Sequence, residues 1–285
     1  MIQTSRQLKD WIRNLSQKNH IDPQIFMRRY MMERFLERVA VSQYHDRFIL
    51  KGGMLVSSMI GLESRTTLDI DTTIKGFPLT VSDAVGVVSE IMNIPLEDHV
   101  TFQIRKAENI MDEMEYGGVR LHLESIFDGV ITALKIDIST GDAITPSEIK
   151  YCYPLMFEGR SIQLMAYPIE TLLAEKLETV LSRGTLNTRM RDYYDVYMLH
   201  REYQDQIDAQ TLHQALLATA ETRKTLGSIQ KANSILGAIE VDFAMEKTWK
   251  KYAASNTYAV NILWLDAVKV VRTVCAAAGL DIEER

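Results

Sequence analysis

Apolar and polar positions over the first 167 residues switch repeatedly between the two-residue period of a strand and the longer period of a helix, whereas beyond Pro168 the helical period runs to the end. Asp22-Pro23 has the form of a helix start, and the residues after it place Phe26, Met27, Tyr30, Met31, Phe35, Leu36 and Val39 on a buried stripe. A short apolar run, Phe48 to Leu50, predicts a strand; residues 54–60 predict a helix; and 68–74 alternate as a second strand. Pro78 closes the loop after it, and 81–91 predict another helix. Three strands follow at 101–106, 119–127 and 131–138, punctuated by the turn signals Gly117-Gly118 and Asp128-Gly129, and 161–165 add a short last one. The pattern therefore predicts an α/β domain over residues 1–167 and a helical domain over 168–285.

The stretch from Arg47 to Ile74 carries the candidate chemistry. Alternation turns Leu68, Ile70 and Ile74 to the core and projects Asp69 and Asp71 together from the other face. Two carboxylates on one face suit a hard divalent cation such as Mg²⁺, which shares its remaining positions with water and phosphate oxygens. Lys51-Gly52-Gly53 precedes a helix, where backbone N–H groups approach a phosphate closely. Strand, Gly-Gly, helix and Asp-x-Asp strand together read as a nucleotide site. If the strand over 131–138 neighbours the Asp-x-Asp strand, Asp137 becomes a third carboxylate, placed to help activate an attacking hydroxyl. Alternatively, Asp137 pairs with Lys135 or merely ends its strand.

Beyond Pro168, Ile169, Leu172, Leu173, Leu177, Val180 and Leu181 form one stripe, and Lys176 falls inside it. Gly184 ends this helix, and a second helix over 188–200 puts Asp192, Asp195, Val196 and Leu199 on one face. In an antiparallel hairpin Lys176 lies opposite the two acids. It then snorkels to solvent, forms a buried salt bridge, or reaches a phosphate with Asp192 or Asp195 orienting it. Arg65, Arg189 and Arg191 are each able to touch phosphate, although exposed arginines are usually solvated charges. The methionines and tyrosines along the helices read as core.

Composition narrows the class. With 46% hydrophobic and 25% charged residues, the chain is that of a globular protein, and its net charge of -6 argues against indiscriminate nucleic-acid binding while leaving room for a local basic groove. Two cysteines without metal-ligand spacing suggest neither a disulfide framework nor a zinc site. With no signal peptide and no apolar run of membrane-spanning length, a cytoplasmic location is expected. Gly-x-Ser-x-Gly and phosphate-loop motifs are absent from the sequence.

Lys51-Gly52-Gly53, Arg65-Thr66-Thr67-Leu68-Asp69-Ile70-Asp71, Lys135-Ile136-Asp137, Ala174-Glu175-Lys176-Leu177 and Arg191-Asp192-Tyr193-Tyr194-Asp195 occur in that order. This ordered set resembles the AbiEii/AbiGii-type nucleotidyltransferase toxins of the DNA polymerase β-like superfamily, over roughly residues 27–199. The resemblance implies a polymerase β-like α/β core with a mixed sheet, a helical C-terminal domain, and an active site in the cleft between them. Asp69 and Asp71, with Asp137 by order, would hold Mg²⁺ or Mn²⁺. Lys51, Gly52, Gly53, Arg65 and Lys176 would hold a nucleoside triphosphate, and Asp192 or Asp195 would complete the helical motif. The implied activity is transfer of a nucleoside monophosphate to an acceptor hydroxyl, such as a tRNA 3′ end, by a toxin of a bacterial toxin–antitoxin or phage-defence system with a cognate antitoxin. The competing expectations are a small-molecule nucleotidyltransferase of the antibiotic-modifying type and a catalytically inactive nucleotide-binding regulator.

Overall fold

The computed structural model describes residues 2–76, 80–110, 118–157 and 159–282, and the chain divides into two compact units. Pro78 and Gly117, expected at a loop and a turn, lie outside the described residues.

The first unit, Met1–Gly141 with Ile149–Ala166, is built on a mixed sheet of seven strands. In chain order these are β1 (Phe48–Lys51), β2 (Ile70–Ile74), β3 (Val100–Ile110), β4 (Gly118–Phe127), β5 (Val130–Ser139), β6 (Ile149–Pro154) and β7 (Ser161–Ala166). Their order across the sheet is β3-β4-β5-β2-β1-β7-β6. The β4–β5 hairpin turns at Asp128-Gly129, where both residues take positive φ as a tight two-residue turn between right-twisted strands requires. β2 pairs antiparallel with β1 and parallel with β5, which leaves it central and buries Ile70, Thr72, Thr73 and Ile74.

Helices α1 (Ser5–Asn19), α2 (Pro23–Val41), α3 (Gly52–Ile60) and α4 (Val81–Met92) belong to this unit. Asp22 caps α2 by accepting from the Gln24 N–H at 2.8 Å, with Pro23 at the first helical position. The expected apolar stripe is present, with Met27 only half-buried, but burial extends almost all round the helix. It takes in Arg29, Glu33, Arg34, Glu37 and Arg38, which are paired as Arg29–Glu33, Arg34–Glu37 and Arg38–Asp98. α1 and β6 were not expected from the sequence pattern.

Asp142–Glu148 groups with Tyr167–Arg285 in the second unit, so the units are not two continuous halves joined near residue 167. The short segment is fastened there by the Tyr167 hydroxyl donating to Asp142 Oδ2 at 3.0 Å and by Thr171 Oγ1, which accepts from the Thr145 N–H and donates to the Thr145 carbonyl, both at 3.0 Å. The rest of the unit is helical: α5 (Ile169–Arg183), α6 (Met190–Tyr203), α7 (Ala209–Thr222), α8 (Leu226–Gln230), α9 (Ala232–Val241), α10 (Phe243–Ser255) and α11 (Trp264–Ala277). Tyr193, Tyr194, Trp249 and Trp264 are buried in its core, with the Tyr193 and Trp264 rings 5.0 Å apart. Among the described residues no helix is long and apolar enough to cross a membrane.

Candidate active site

The end of β1 is where the site begins. Lys51 closes the strand, and the chain enters α3 through Gly52 at φ +63°, a left-handed conformation that favours glycine. A Cβ on Gly52 would stand 2.3 Å from Asp71 Oδ2, so the missing side chain is also what lets the backbone lie against that carboxylate. The Gly53 N–H donates to Asp71 Oδ2 at 3.2 Å. The helix start predicted to cradle phosphate thus holds an aspartate in this structure.

The expected strand over 68–74 is shorter than the alternation implies. Pairing of β2 with β1 ends at Lys51↔Asp71, because the next residue of the partner, Gly52, has already turned into α3. Leu68 is consequently 47% exposed rather than in the core, and Asp69 sits just before the strand. Asp69 is nevertheless held, its Oδ2 being 2.8 Å from Lys135 Nζ on β5.

Register aligns the other charges. Arg120 on β4 lies opposite Asp137 on β5, Asp137 opposite Asp71 on β2, and Asp71 opposite Lys51 on β1. Neighbours in register project to the same face of a sheet, so four adjacent strands present a row of cation, anion, anion, cation. Arg120 grips Asp137 with both ends of its fork, Nε to Oδ1 and Nη2 to Oδ2, each at 2.8 Å, and this pairing keeps the guanidinium protonated. Among the described residues Asp71 has no such bidentate partner. Loss of surrounding water first, then the proximity of Asp137, and more weakly of Asp69, raise its pKa above the ordinary carboxylate value, against the opposing pull of the Gly53 N–H and Lys51.

These donors fit a divalent cation in part. Asp69 and Asp71 offer hard oxygen ligands, and burial of Asp71, with Asp137 close by, disfavours its ionised form, a cost that a bound cation would relieve. Both oxygens of Asp137 are engaged by Arg120, and among the described residues no group of three or more acidic, His or Cys side chains stands ready to hold a metal ion. Asp137 joins a metal only by giving up hydrogen bonds to the guanidinium. Lys135 pairs with Asp69 rather than with Asp137, and Arg120, which no motif in the sequence marks, holds Asp137 instead. Counting back from the Asp128-Gly129 turn would have put Arg120 opposite Asp137.

Arg65 is buried rather than solvated: its guanidinium donates to the Thr66 carbonyl, and its own carbonyl accepts from Ser57 Oγ at 2.6 Å. A Cβ on Gly53 would come 3.3 Å from Arg65 Nη2, which places the guanidinium beside the start of α3.

In the helical unit, Lys176 on α5 and the two acids on α6 meet. Lys176 Nζ is 2.6 Å from Asp195 Oδ2 and 3.4 Å from Asp192 Oδ1, with all three residues buried. Arg189 Nε approaches the other oxygen of Asp192 to 2.9 Å, while Arg191 is exposed. Two cations and two anions balance in a small volume, and the lysine stem fills a gap in the apolar stripe of α5.

Comparison with solved structures finds similarity to a candidate nucleotidyltransferase from H. pylori, 17% identical with a TM-score of 0.49 and covering 90% of this chain and 96% of that one. It also finds JHP933 from Helicobacter pylori, 15% identical with a TM-score of 0.50 and covering 90% and 94%. At such identity the likeness concerns the fold. No curated protein matches the chain. The model of the family described as nucleotidyl transferase AbiEii toxin, type IV TA system, matches residues 34–270, spanning the Gly-Gly turn, the aligned acids and the Lys176 cluster. The chain therefore belongs to the AbiEii family of nucleotidyltransferase toxins from type IV toxin–antitoxin systems.

Proposed function

We propose that this toxin transfers a nucleoside monophosphate from a metal-bound nucleoside triphosphate to an acceptor hydroxyl on RNA, such as the 3′ end of a tRNA. The observation that carries the reading is the register of β2 with β5, which sets Asp71 beside Asp137 on one face, with Asp69 next to them. The acceptor oxygen forms a bond to the α-phosphorus, the bond to the β-phosphate oxygen breaks, and pyrophosphate leaves. Asp69 and Asp71, joined by Asp137 once it gives up hydrogen bonds to Arg120, are the proposed ligands of Mg²⁺ or Mn²⁺, which would neutralise charge on the phosphates. Asp137 is the third carboxylate and takes up the acceptor's proton. Lys51, Arg65 and the amides of Gly52 and Gly53 supply positive charge and N–H donors for the triphosphate. In the helical unit, Lys176 is the proposed phosphate contact, with Asp195 and Asp192 orienting it.

Incubating the protein with each labelled triphosphate, Mg²⁺ and total RNA should label RNA, and Asp69→Ala, checked for folding, should abolish the signal. Label appearing only in added small hydroxyl compounds would favour a small-molecule transferase. No transfer together with Mg²⁺-dependent nucleotide binding would mark an inactive regulator.

A further inference from the structure

The flanking acids of the site are paired with protein cations. Asp69 has Lys135 at 2.8 Å, and Asp137 has both oxygens bound by Arg120, whereas among the described residues Asp71 between them accepts an amide hydrogen bond from Gly53 and has the nearby charge of Lys51. Lys51, Lys135 and Arg120 are set against Asp69, Asp71 and Asp137, so these six side chains balance in formal charge. A lone divalent ion arriving there meets one free carboxylate and two that must first release a cation.

We propose that Arg120 is a positioning residue that competes with the divalent cation for Asp137, so that the nucleotide-free site holds a bare ion only weakly. The inference rests on the metal-site reading above and adds to it a residue outside the ordered motifs that mark the family resemblance. The physical argument is one of exchange. A bidentate guanidinium–carboxylate pair is directional as well as electrostatic, and the Arg120 side chain, 32% exposed, has solvent in which to go when displaced. Its anchorage on the adjacent strand, in register with Asp137, keeps it next to the carboxylate after release, where it is placed to meet a phosphate. A nucleotide that brings its own negative charge offers the displaced guanidinium a new anionic partner, whereas a bare cation displaces it with nothing in exchange.

Mn²⁺ affinity, measured by calorimetry and by electron paramagnetic resonance, tests this without reference to turnover. In nucleotide-free protein, Arg120→Gln should bind Mn²⁺ roughly three- to tenfold more tightly than wild type, the range expected for losing a partly exposed charge-assisted pair. Arg120→Lys, which keeps the charge but not the fork, should fall between the two. In an Asp137→Asn background the Arg120→Gln effect should vanish, because the competition has lost its object. An arginine with a merely structural role would leave the affinity unchanged or lower it when removed. If wild type binds Mn²⁺ in the presence of a non-hydrolysable triphosphate but Arg120→Gln shows no gain without nucleotide, the counter-ion role is overturned and the metal site stands. If neither protein binds Mn²⁺ with or without the triphosphate, the metal-site reading and this inference fall together. A gain that persists undiminished in Asp137→Asn would overturn the competition for Asp137 in favour of a general field effect.

Discussion

Asp71 is where the cost of the site is concentrated. Its raised pKa means that the folded protein binds this proton more tightly than the unfolded chain does. Its stabilising contribution is therefore fully present below the ordinary carboxylate pKa and is lost as pH rises through the raised folded value. In metal-free buffer at about pH 7, Asp71→Asn should raise the melting temperature, because the amide carries no charge to desolvate. The difference should shrink as the solution is acidified, and calorimetric scans across that interval would show it. A variant that melts below wild type at every pH would mean that the carboxylate is stabilised by contacts the amide fails to reproduce. The acids were legible as a pair because Asp-x-Asp needs only local alternation. The grip of Arg120 on Asp137 was less apparent because it depends on pairing between strands, although the hairpin turn carried that information.

At the scale of elements, α5 and α6 form a hairpin whose buried polar core is the Lys176 cluster. Removing the lysine alone leaves Asp192 and Asp195 buried with less compensation, at a cost of about 3–5 kcal/mol. Lys176→Met should therefore lower the urea midpoint strongly, and adding Asp195→Asn should recover much of that stability. Transfer activity should stay lost in the double variant if the lysine serves phosphate; activity returning with stability would reduce the cluster to architecture. The hairpin was readable because a lysine in an apolar stripe and two acids on a facing stripe are conspicuous. α1 does carry a helical stripe, Leu8, Trp11, Ile12 and Leu15 behind the Thr4 cap, and so was open to recognition, whereas β6, Ile-Lys-Tyr-Cys-Tyr-Pro, is an edge strand with one buried position. β6 offered little of the periodic contrast on which strand recognition depends.

For the molecule as a whole, the segment Asp142–Glu148 sets the division of the chain. It leaves β5, is fastened to the helical unit through Asp142 and Thr145, and returns as β6. Composition gave no sign of this, since the segment is short and its anchor residues, Tyr167 and Thr171, lie on the far side of two strands in sequence. Thr171→Val, which keeps the shape and deletes the hydroxyl, strands the Thr145 N–H without its acceptor. It should destabilise the protein by about 1–3 kcal/mol in equilibrium denaturation. Unchanged stability would show that water replaces the hydroxyl freely.

The central position of β2 also bears on when a growing chain can complete the acidic row. β1 and β2 leave the ribosome early and pair with each other, but the opposite edge of β2 has to wait for β5, and β1 waits longer still for β7. A nascent or prematurely terminated product that stops short of Asp137 carries Asp69 and Asp71 on a strand with one side unfilled. The order of synthesis thus leaves the acidic row incomplete until five of the seven strands have been made.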